Sequence, residues 1–289
     1  MGWIGRWICL LLLAMPVRAA ADAFVVRYPR PESNPDQRSR YPLRLLERAL
    51  ARSEHQYRIE ISPLRMQQGR ALLRLEKDDG IDVVSTMTSA DREARLHAIR
   101  IPIDKGLIGW RLLLVERSRL GRLRGLRSAV QFRNFSAGQG SDWPDAAIMR
   151  ANGMLVYGTS SYEALFSMLG NGRIDYFPRS ITEIWDEVDL HRDQLAVEPG
   201  IVLHYPTAMY FFVRKGNDQL ATDLAAGLEK MIADGSFERL FQESFGDMIR
   251  RAALRERHVI EMHNPLMPDT LPLARKNLWF RDADAAVVK

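Results

Sequence analysis

Between Phe24 and Arg92 short apolar runs alternate with helix-spaced ones, and no other feature restricts the fold of this chain as strongly. Phe24-Val25-Val26-Arg27-Tyr28 reads as a strand closed by Pro29 and Pro31, and Glu32 to Arg40 reads as a polar loop. Leu43, Leu46, Ala49 and Leu50 recur at helical spacing, which predicts a helix from Pro42 to Ser53. Tyr57 to Ile61 alternates as a second strand, Pro63 to Leu75 reads as a second helix, and Ile81 to Val84 as a buried third strand. The order β-α-β-α-β implies an α/β fold built on an open, mostly parallel sheet covered by helices. Ligands of such sheets sit beyond the carboxyl ends of the strands.

The same alternation returns further along. Gly109 to Val115 is a continuous apolar strand, and Val130 to Ala137 leads to a Gly138-Gln139-Gly140 turn. A helix from Trp143 to Ala151, a strand from Met154 to Tyr157, a helix from Ser161 to Leu169, a stop at Asn171-Gly172 and a strand from Ile174 to Phe177 follow. Tyr205 to Lys215 reads as a returning strand, then helices run from Leu220 to Ala233 and from Phe237 to Phe245. Two α/β units joined by extended segments predict two lobes with a hinge and a cleft. The expected division is a first lobe at 24–106, a second at 107–214, a return to the first at 215–248, and an extension at 249–289 strapping an apolar groove of the first lobe.

At the amino end, Arg6 precedes an uncharged run from Trp7 to Met15, then Pro16 and the small residues Ala19-Ala20-Ala21-Asp22-Ala23, the layout of a secretory signal peptide over residues 1–23. That run is too short for a membrane span, which needs about 20 apolar residues. Export to the periplasm is the expectation. The only cysteine, Cys9, leaves with the signal, so the mature chain has no thiol chemistry and depends on its apolar core. Without Arg6, Arg18 and Asp22 there remain 39 basic and 35 acidic residues, too mild an excess for a nucleic-acid partner. Arg111, Arg117, Arg119, Arg122, Arg124, Arg127 and Arg133 concentrate positive charge in one stretch, either as a solvated connector or as a contact surface for an acidic partner.

The chemistry concentrates at Asp82 to Arg92, where the third strand runs directly into a helix start. Free N–H groups and the positive end of the helix favour an anion, and Arg92 adds a planar fork shaped for a carboxylate. Thr88 with Asp91, Asp142 with Asp145, Ser160 with Glu163 and Ser180 with Glu183 have capping-box spacing, which would ring the cleft with backbone donors. Arg65, Met66, Gln67 and Gln68 follow a strand and reach either the cleft mouth or solvent. Arg179 beside Pro178 is hard to bury without an anionic partner, and Trp185, Asp186 and Glu187 read as surface. None of the six histidines pairs with a carboxylate in a metal-binding pattern, Gly138-Gln139-Gly140 lacks the lysine of a nucleotide loop, and Ser141 has no evident base. No cofactor or metal is expected.

Thr88-Ser89-Ala90-Asp91-Arg92 with Ile101-Pro102, Gly172-Arg173-Ile174-Asp175, and Val213-Arg214-Lys215-Gly216-Asn217 followed by Ile232-Ala233-Asp234-Gly235-Ser236-Phe237 and Phe245-Gly246 resemble the bacterial extracellular solute-binding proteins of polar amino acid importers. The resemblance spans residues 24–248 and implies the type II periplasmic-binding-protein fold. It further implies that Arg92 holds a ligand carboxylate, that Thr88 and Ser89 add hydrogen bonds, and that Tyr28 stacks on the ligand. From the second lobe Gly140, Ser141 and Asp142 offer a helix start and Trp143 a cover, with Ser160, Arg179 and Ser180 as further candidates. The family's ammonium-holding aspartate falls at Ser180, next to Arg179, which favours an acidic, dicarboxylic or peptide-like solute unless Glu163 or Glu183 turns inward. A monomeric solute-binding protein serving an ABC importer or a membrane sensor is the expected function. The alternative is a cyclohexadienyl or prephenate-type dehydratase on the same fold, for which Glu163 and Asp175 are the candidate acids.

Overall fold

A computed structural model describes residues 23–33 and 36–281. The segment read as a signal peptide lies outside the described residues, apart from Ala23. The first lobe opens with β1 (Phe24–Arg30), α1 (Arg40–Leu50), β2 (Tyr57–Arg65), α2 (Gln68–Glu76), β3 (Val83–Met87), α3 (Ala90–Arg95) and β4 (His97–Ile99). β1 and β2 pair in parallel with Phe24 opposite Tyr57 and Val26 opposite Ile59. The Asp82 N–H donates to the Arg27 carbonyl at 2.9 Å and brings β3 alongside β1.

The second lobe comprises β5 (Trp110–Glu116), β6 (Ser136–Gly140), α4 (Pro144–Ala151), β7 (Leu155–Thr159), α5 (Tyr162–Gly170), β8 (Phe177–Ser180), α6 (Ile184–Leu190), β9 (Leu195–Val197) and β10 (Ile201–His204). The chain then returns through β11 (Met209–Val213), which inserts antiparallel between β3 and β4, and continues as α7 (Asp218–Ala233), α8 (Ser236–Ala252) and β12 (His258–Glu261). Each lobe has a strand buried on both faces. In β5, Leu112 and Leu114 pack to one side and Leu113 and Val115 to the other; in β11, Phe211 and Val213 oppose Tyr210 and Phe212. Near-continuous apolar runs mark such central strands.

Several elements differ from the expectation for identifiable reasons. β2 continues through Pro63 to Arg65, and the next helix begins only at Gln68. β2 pairs only with β1, so it is an edge strand where a missing N–H is tolerated. Gly138-Gln139-Gly140 is the end of β6 rather than a turn, paired in parallel with Tyr157, Gly158 and Thr159. Glycine is required there by crowding, because a Cβ on Gly138 would lie 2.4 Å from Ile174 Cδ1 and one on Gly140 2.5 Å from Trp143. The strand read at Ile174 to Phe177 sits later, at Phe177–Ser180.

Tyr205 to Lys215 is not one strand. Pro206 interrupts it, so β10 closes the second lobe and the return to the first begins at Met209, not at 215. α8 runs past Phe245 to Ala252 because Phe245, Ile249 and Ala252 prolong its apolar stripe. Trp185 and Glu187 lie in α6 and are buried, not on the surface.

The chain passes between the lobes at residues 100–109 and 205–208, with the Tyr205 N–H donating to the Gly109 carbonyl at 3.2 Å, and again on either side of β12. The C-terminal segment does not simply strap the first lobe. It first adds β12 in parallel to β10 of the second lobe. Asn264 then donates to the Pro206 carbonyl at 2.9 Å, and Leu271 and Leu278 pack into the first lobe, where the Phe280 N–H reaches the Lys105 carbonyl at 2.8 Å. No helix among the described residues is long and apolar enough to cross a membrane.

Candidate ligand-binding site

A cavity of about 140 Å³ lies between the lobes at the carboxyl ends of β1 and β3. An apolar cavity of about 150 Å³ accommodates one benzene ring, so the space suits a small solute. From the first lobe come Tyr28, Met66, Gln68, Thr86 and Met87, and from the second Arg111, Trp143, Asp145, Arg179 and Glu183. The lobes touch across it. Asp142 Oδ2 accepts the Gly69 N–H at 2.5 Å, and the Asp142 carbonyl accepts from Arg92 at 3.3 Å.

Arg92 sits in the first turn of α3, 5% exposed, directly behind Thr86, Met87 and Gln68 of the cavity wall. One terminal nitrogen donates to Thr86 Oγ1 and to the Met87 carbonyl, both at 2.7 Å, and the other to Gln68 Oε1 at 2.7 Å and to Asp142. All four acceptors are neutral. Of the four buried cationic side chains among the described residues, Lys105 faces Glu238, Arg111 faces Asp145, Arg179 faces Glu187, and only Arg92 has no carboxylate within ion-pair distance. Burial holds the Arg92 guanidinium down to about 10, with Asp142 and Asp145 offsetting part of that effect.

The other arginines of the cleft are neutralised from within. Arg179 Nε spans both Glu187 oxygens at 2.9 and 2.8 Å, its Nη2 reaches Glu187 at 2.6 Å, and Glu183 lies 3.1 Å away. Arg111 meets Asp145 at 2.6 Å and Glu183 at 3.4 Å, and donates to the Tyr205 hydroxyl at 2.9 Å, which itself donates to Asp145. Burial pushes Glu183 up, but Arg179 and Arg111 outweigh it and hold the carboxyl below the usual range. Arg38, clamped on Asp36 at 2.7 Å, reaches over the second lobe to lie 4.3 Å above the Tyr162 ring and 5.5 Å from Trp143. Such contacts contribute roughly 0.5–2 kcal/mol each when partly desolvated.

Of the residues singled out in the sequence, Tyr28, Trp143 and Arg179 line the cavity and Arg92 backs its wall. The Tyr28 hydroxyl shares a 2.6 Å hydrogen bond with Ser85, and burial pushes it up to about 12. Ser89 is the true N-cap of α3, its Oγ accepting the Arg92 N–H at 3.2 Å, whereas Thr88 donates to Glu93 at 2.7 Å and faces away. Ser141 is exposed and Asp142 touches the first lobe at the rim. Gly140 packs under Trp143. Ser160 is exposed beside the actual cap, Ser161, and Ser180 is buried with its Oγ donating to the Leu107 carbonyl at 3.1 Å. Met66 and Gln68 reach the cavity, while Arg65 and Gln67 do not line it; Glu183 turns inward and Glu163 is exposed.

Sequence reading missed Arg38 and Asp36, and it read Arg111 only as part of the basic stretch and Asp145 only as a capping-box partner of Asp142, not as a pair lining the cavity. Arg111 had a usable signal, an arginine within an otherwise apolar strand, and Asp145 followed the Pro144 that starts α4.

The fold is that of the two-lobed periplasmic amino acid-binding proteins. The Salmonella typhimurium periplasmic binding protein known for high arginine specificity superposes with a TM-score of 0.61 at 14% identity, over 77% of this chain and 100% of its own. An ancestral arginine-binding protein bound to arginine gives 0.59 at 16% identity, over 76% and 98%. An ancestral amino acid-binding protein that is a precursor of cyclohexadienyl dehydratase gives 0.57 at 13% identity, over 76% and 95%. No protein-family model matches the sequence, and no curated protein matches it.

Proposed function

We propose that this protein is a periplasmic solute-binding protein that closes around a small carboxylate-bearing solute, an amino acid or related organic acid, and presents it to the permease of an ABC importer or to a membrane sensor. The observation that carries this reading is Arg92, a buried guanidinium at a helix start, beside an interlobe cavity, with only neutral oxygens around it. A solute carboxylate supplies the missing counter-charge by taking the places now held by Gln68 Oε1 and the Asp142 carbonyl. Tyr28 and Trp143 give it apolar walls. The repulsion that Arg179 would exert on an ammonium is cancelled by Glu187 and Glu183, and inward-facing Glu183 and Asp145 offer an amine acceptors, so amino acids stay within the proposed class. Residues 1–23, read as a signal peptide, support export.

The dehydratase alternative finds less support in the cleft. Glu163 is exposed, Asp175 is tied to Arg122 at 2.7 Å and to Ser136, and Glu183 is held ionised, so none of these three is poised to donate a proton; of the cavity carboxyls, that of Glu32 is the one burial pushes up. Mass spectrometry of small molecules released from natively purified protein, followed by calorimetry with the compound found, tests the proposal. Recovery of no acidic or zwitterionic solute, with no thermal shift in a screen of amino acids and organic acids, would refute it. Turnover of prephenate would support the alternative.

A further inference from the structure

A second cavity, of about 200 Å³, lies behind the first, between α1, the chain crossing at Asp104, α6 and α8. Tyr41, Asp104, Thr182, Ser244, Phe245 and Met248 form its walls. Arg38, Glu183 and Met209 stand between the two cavities and border both.

Asp104 is 2% exposed, and its carboxylate accepts the N–H groups of Ile108 at 2.7 Å and Gly106 at 3.1 Å. No cation among the described residues lies within ion-pair distance. Its neighbour Lys105 turns away to Glu238 at 2.7 Å. Of the five buried carboxylates among the described residues, Asp36, Asp145 and Glu187 face arginines, and Glu198, the other without a cation, borders neither cavity. Burial pushes the Asp104 carboxyl up to about 6, so it is charged at neutral pH. A second polar group is also unmatched, the buried Ser244 Oγ, which has no hydrogen-bond partner. The rings of Tyr41 and Phe245, 4.4 Å apart, complete an aromatic wall.

The charges around the cavity select the sign of an occupant. Arg38 is clamped by Asp36 and Arg44 meets Glu243 at 3.3 Å, while Glu183 is held by Arg179 and Arg111. Asp104 and Asp186 then outnumber Arg40. An anion would meet the Asp104 carboxylate, which backbone N–H groups bind but no cation neutralises, whereas an N–H-rich cation gains a counter-ion, a hydroxyl acceptor and a ring face together. We propose that this cavity is a second binding site, for a small organic monocation carrying a primary ammonium or guanidinium group, with Asp104 as its counter-ion. Asp104 lies on one crossing between the lobes, so an occupant here bears on the hinge as well as on the wall of the first cavity.

The test uses the intact mature chain titrated with n-butylammonium chloride, with sodium butyrate at equal ionic strength as the control, followed by calorimetry and by the methyl NMR signals of Met209 and Met248. Saturable binding of butylammonium but not butyrate is expected, with the Met248 methyl signal shifting along the titration and the affinity weakened at least about tenfold in Asp104→Asn. Met248→Trp, which fills the cavity without altering charge, should abolish it. Absence of saturation, an equal response to butyrate, or undiminished affinity in Asp104→Asn or Met248→Trp would overturn the proposal. Saturable butylammonium binding that leaves the Met248 methyl signal unmoved would place the cation in the interlobe cleft and overturn it equally.

Discussion

Replacing Arg92 with glutamine separates a ligand-binding arginine from a structural one. In the folded protein this guanidinium titrates near 10 because burial disfavours its charge, which corresponds to roughly 3 kcal/mol of unfavourable charging energy. The sign is that of a base with a lowered pKa: the cost is present at every pH below about 10 and is relieved only above it. Glutamine removes that cost and also forfeits most of four hydrogen bonds, to Thr86, Met87, Gln68 and Asp142, each contributing about 1 kcal/mol net. The two effects nearly cancel. Melting of the unliganded variant should therefore stay within about 5 °C of wild type, at about 2–4 °C per kcal/mol for a chain of this size. Solute affinity behaves differently, since deleting one partner of a buried charge pair costs about 2–5 kcal/mol, or roughly 30-fold to several thousand-fold in Kd. Differential scanning calorimetry without solute and titration calorimetry with the recovered solute read the two quantities separately. A variant that melts more than about 10 °C early yet binds with wild-type affinity would show that Arg92 only brackets the loops around it.

Arg179→Met should have the opposite profile, because it strands Glu187 in the interior and leaves Glu183 with Arg111 alone: a loss of about 3–5 kcal/mol in chemical denaturation is expected. A loss below about 1 kcal/mol would contradict the assigned pairing. Asp104 should make stability fall by up to about 3 kcal/mol as pH rises from about 4 to 6, since the folded state retains a proton there that the unfolded chain has released. Asp104→Asn should lack that contribution, and denaturation curves of both proteins across the window measure the difference. Gly69→Val should hold the lobes apart, as even a Cβ at this position lies 2.7 Å from Asp142 Oδ2. Small-angle scattering with saturating solute should then show a larger radius of gyration than wild type, and identical curves would refute the contact as a determinant of closure.

The two-lobed α/β body was legible because its signals are local. Alternating apolar and helix-spaced runs identified β1, α1, β5, α5 and α7, whose sequences contain their own periodicity. Elements whose shape depends on distant neighbours were misread. Pro63 looked like a helix opener because nothing in the sequence reveals that β2 is an edge strand, and the glycines of β6 looked like a turn because Ile174, which crowds Gly138, and β7, which pairs with them, arrive from elsewhere. Helix caps were displaced by one residue where two oxygen-bearing side chains adjoin, as at Thr88-Ser89 and Ser160-Ser161. The residue with extended backbone becomes the cap, and that is settled by the preceding strand.

Charge pairing explains why the site was only half visible. The partners Arg111 and Asp145 stand 34 positions apart in two elements of the second lobe, and neither predicts the other from sequence. What the sequence does show is an arginine inside an apolar strand, and burying it without a partner would be prohibitive. Each such arginine therefore points to a carboxylate elsewhere: the fold provides Asp145 for Arg111 and Glu187 for Arg179. For Arg92 it provides hydroxyl, amide and carbonyl oxygens only, which satisfy the donors and leave the charge unmatched. The same reasoning that makes two of these arginines structural underlies the proposal that the third takes its counter-charge from a carboxylate outside the chain.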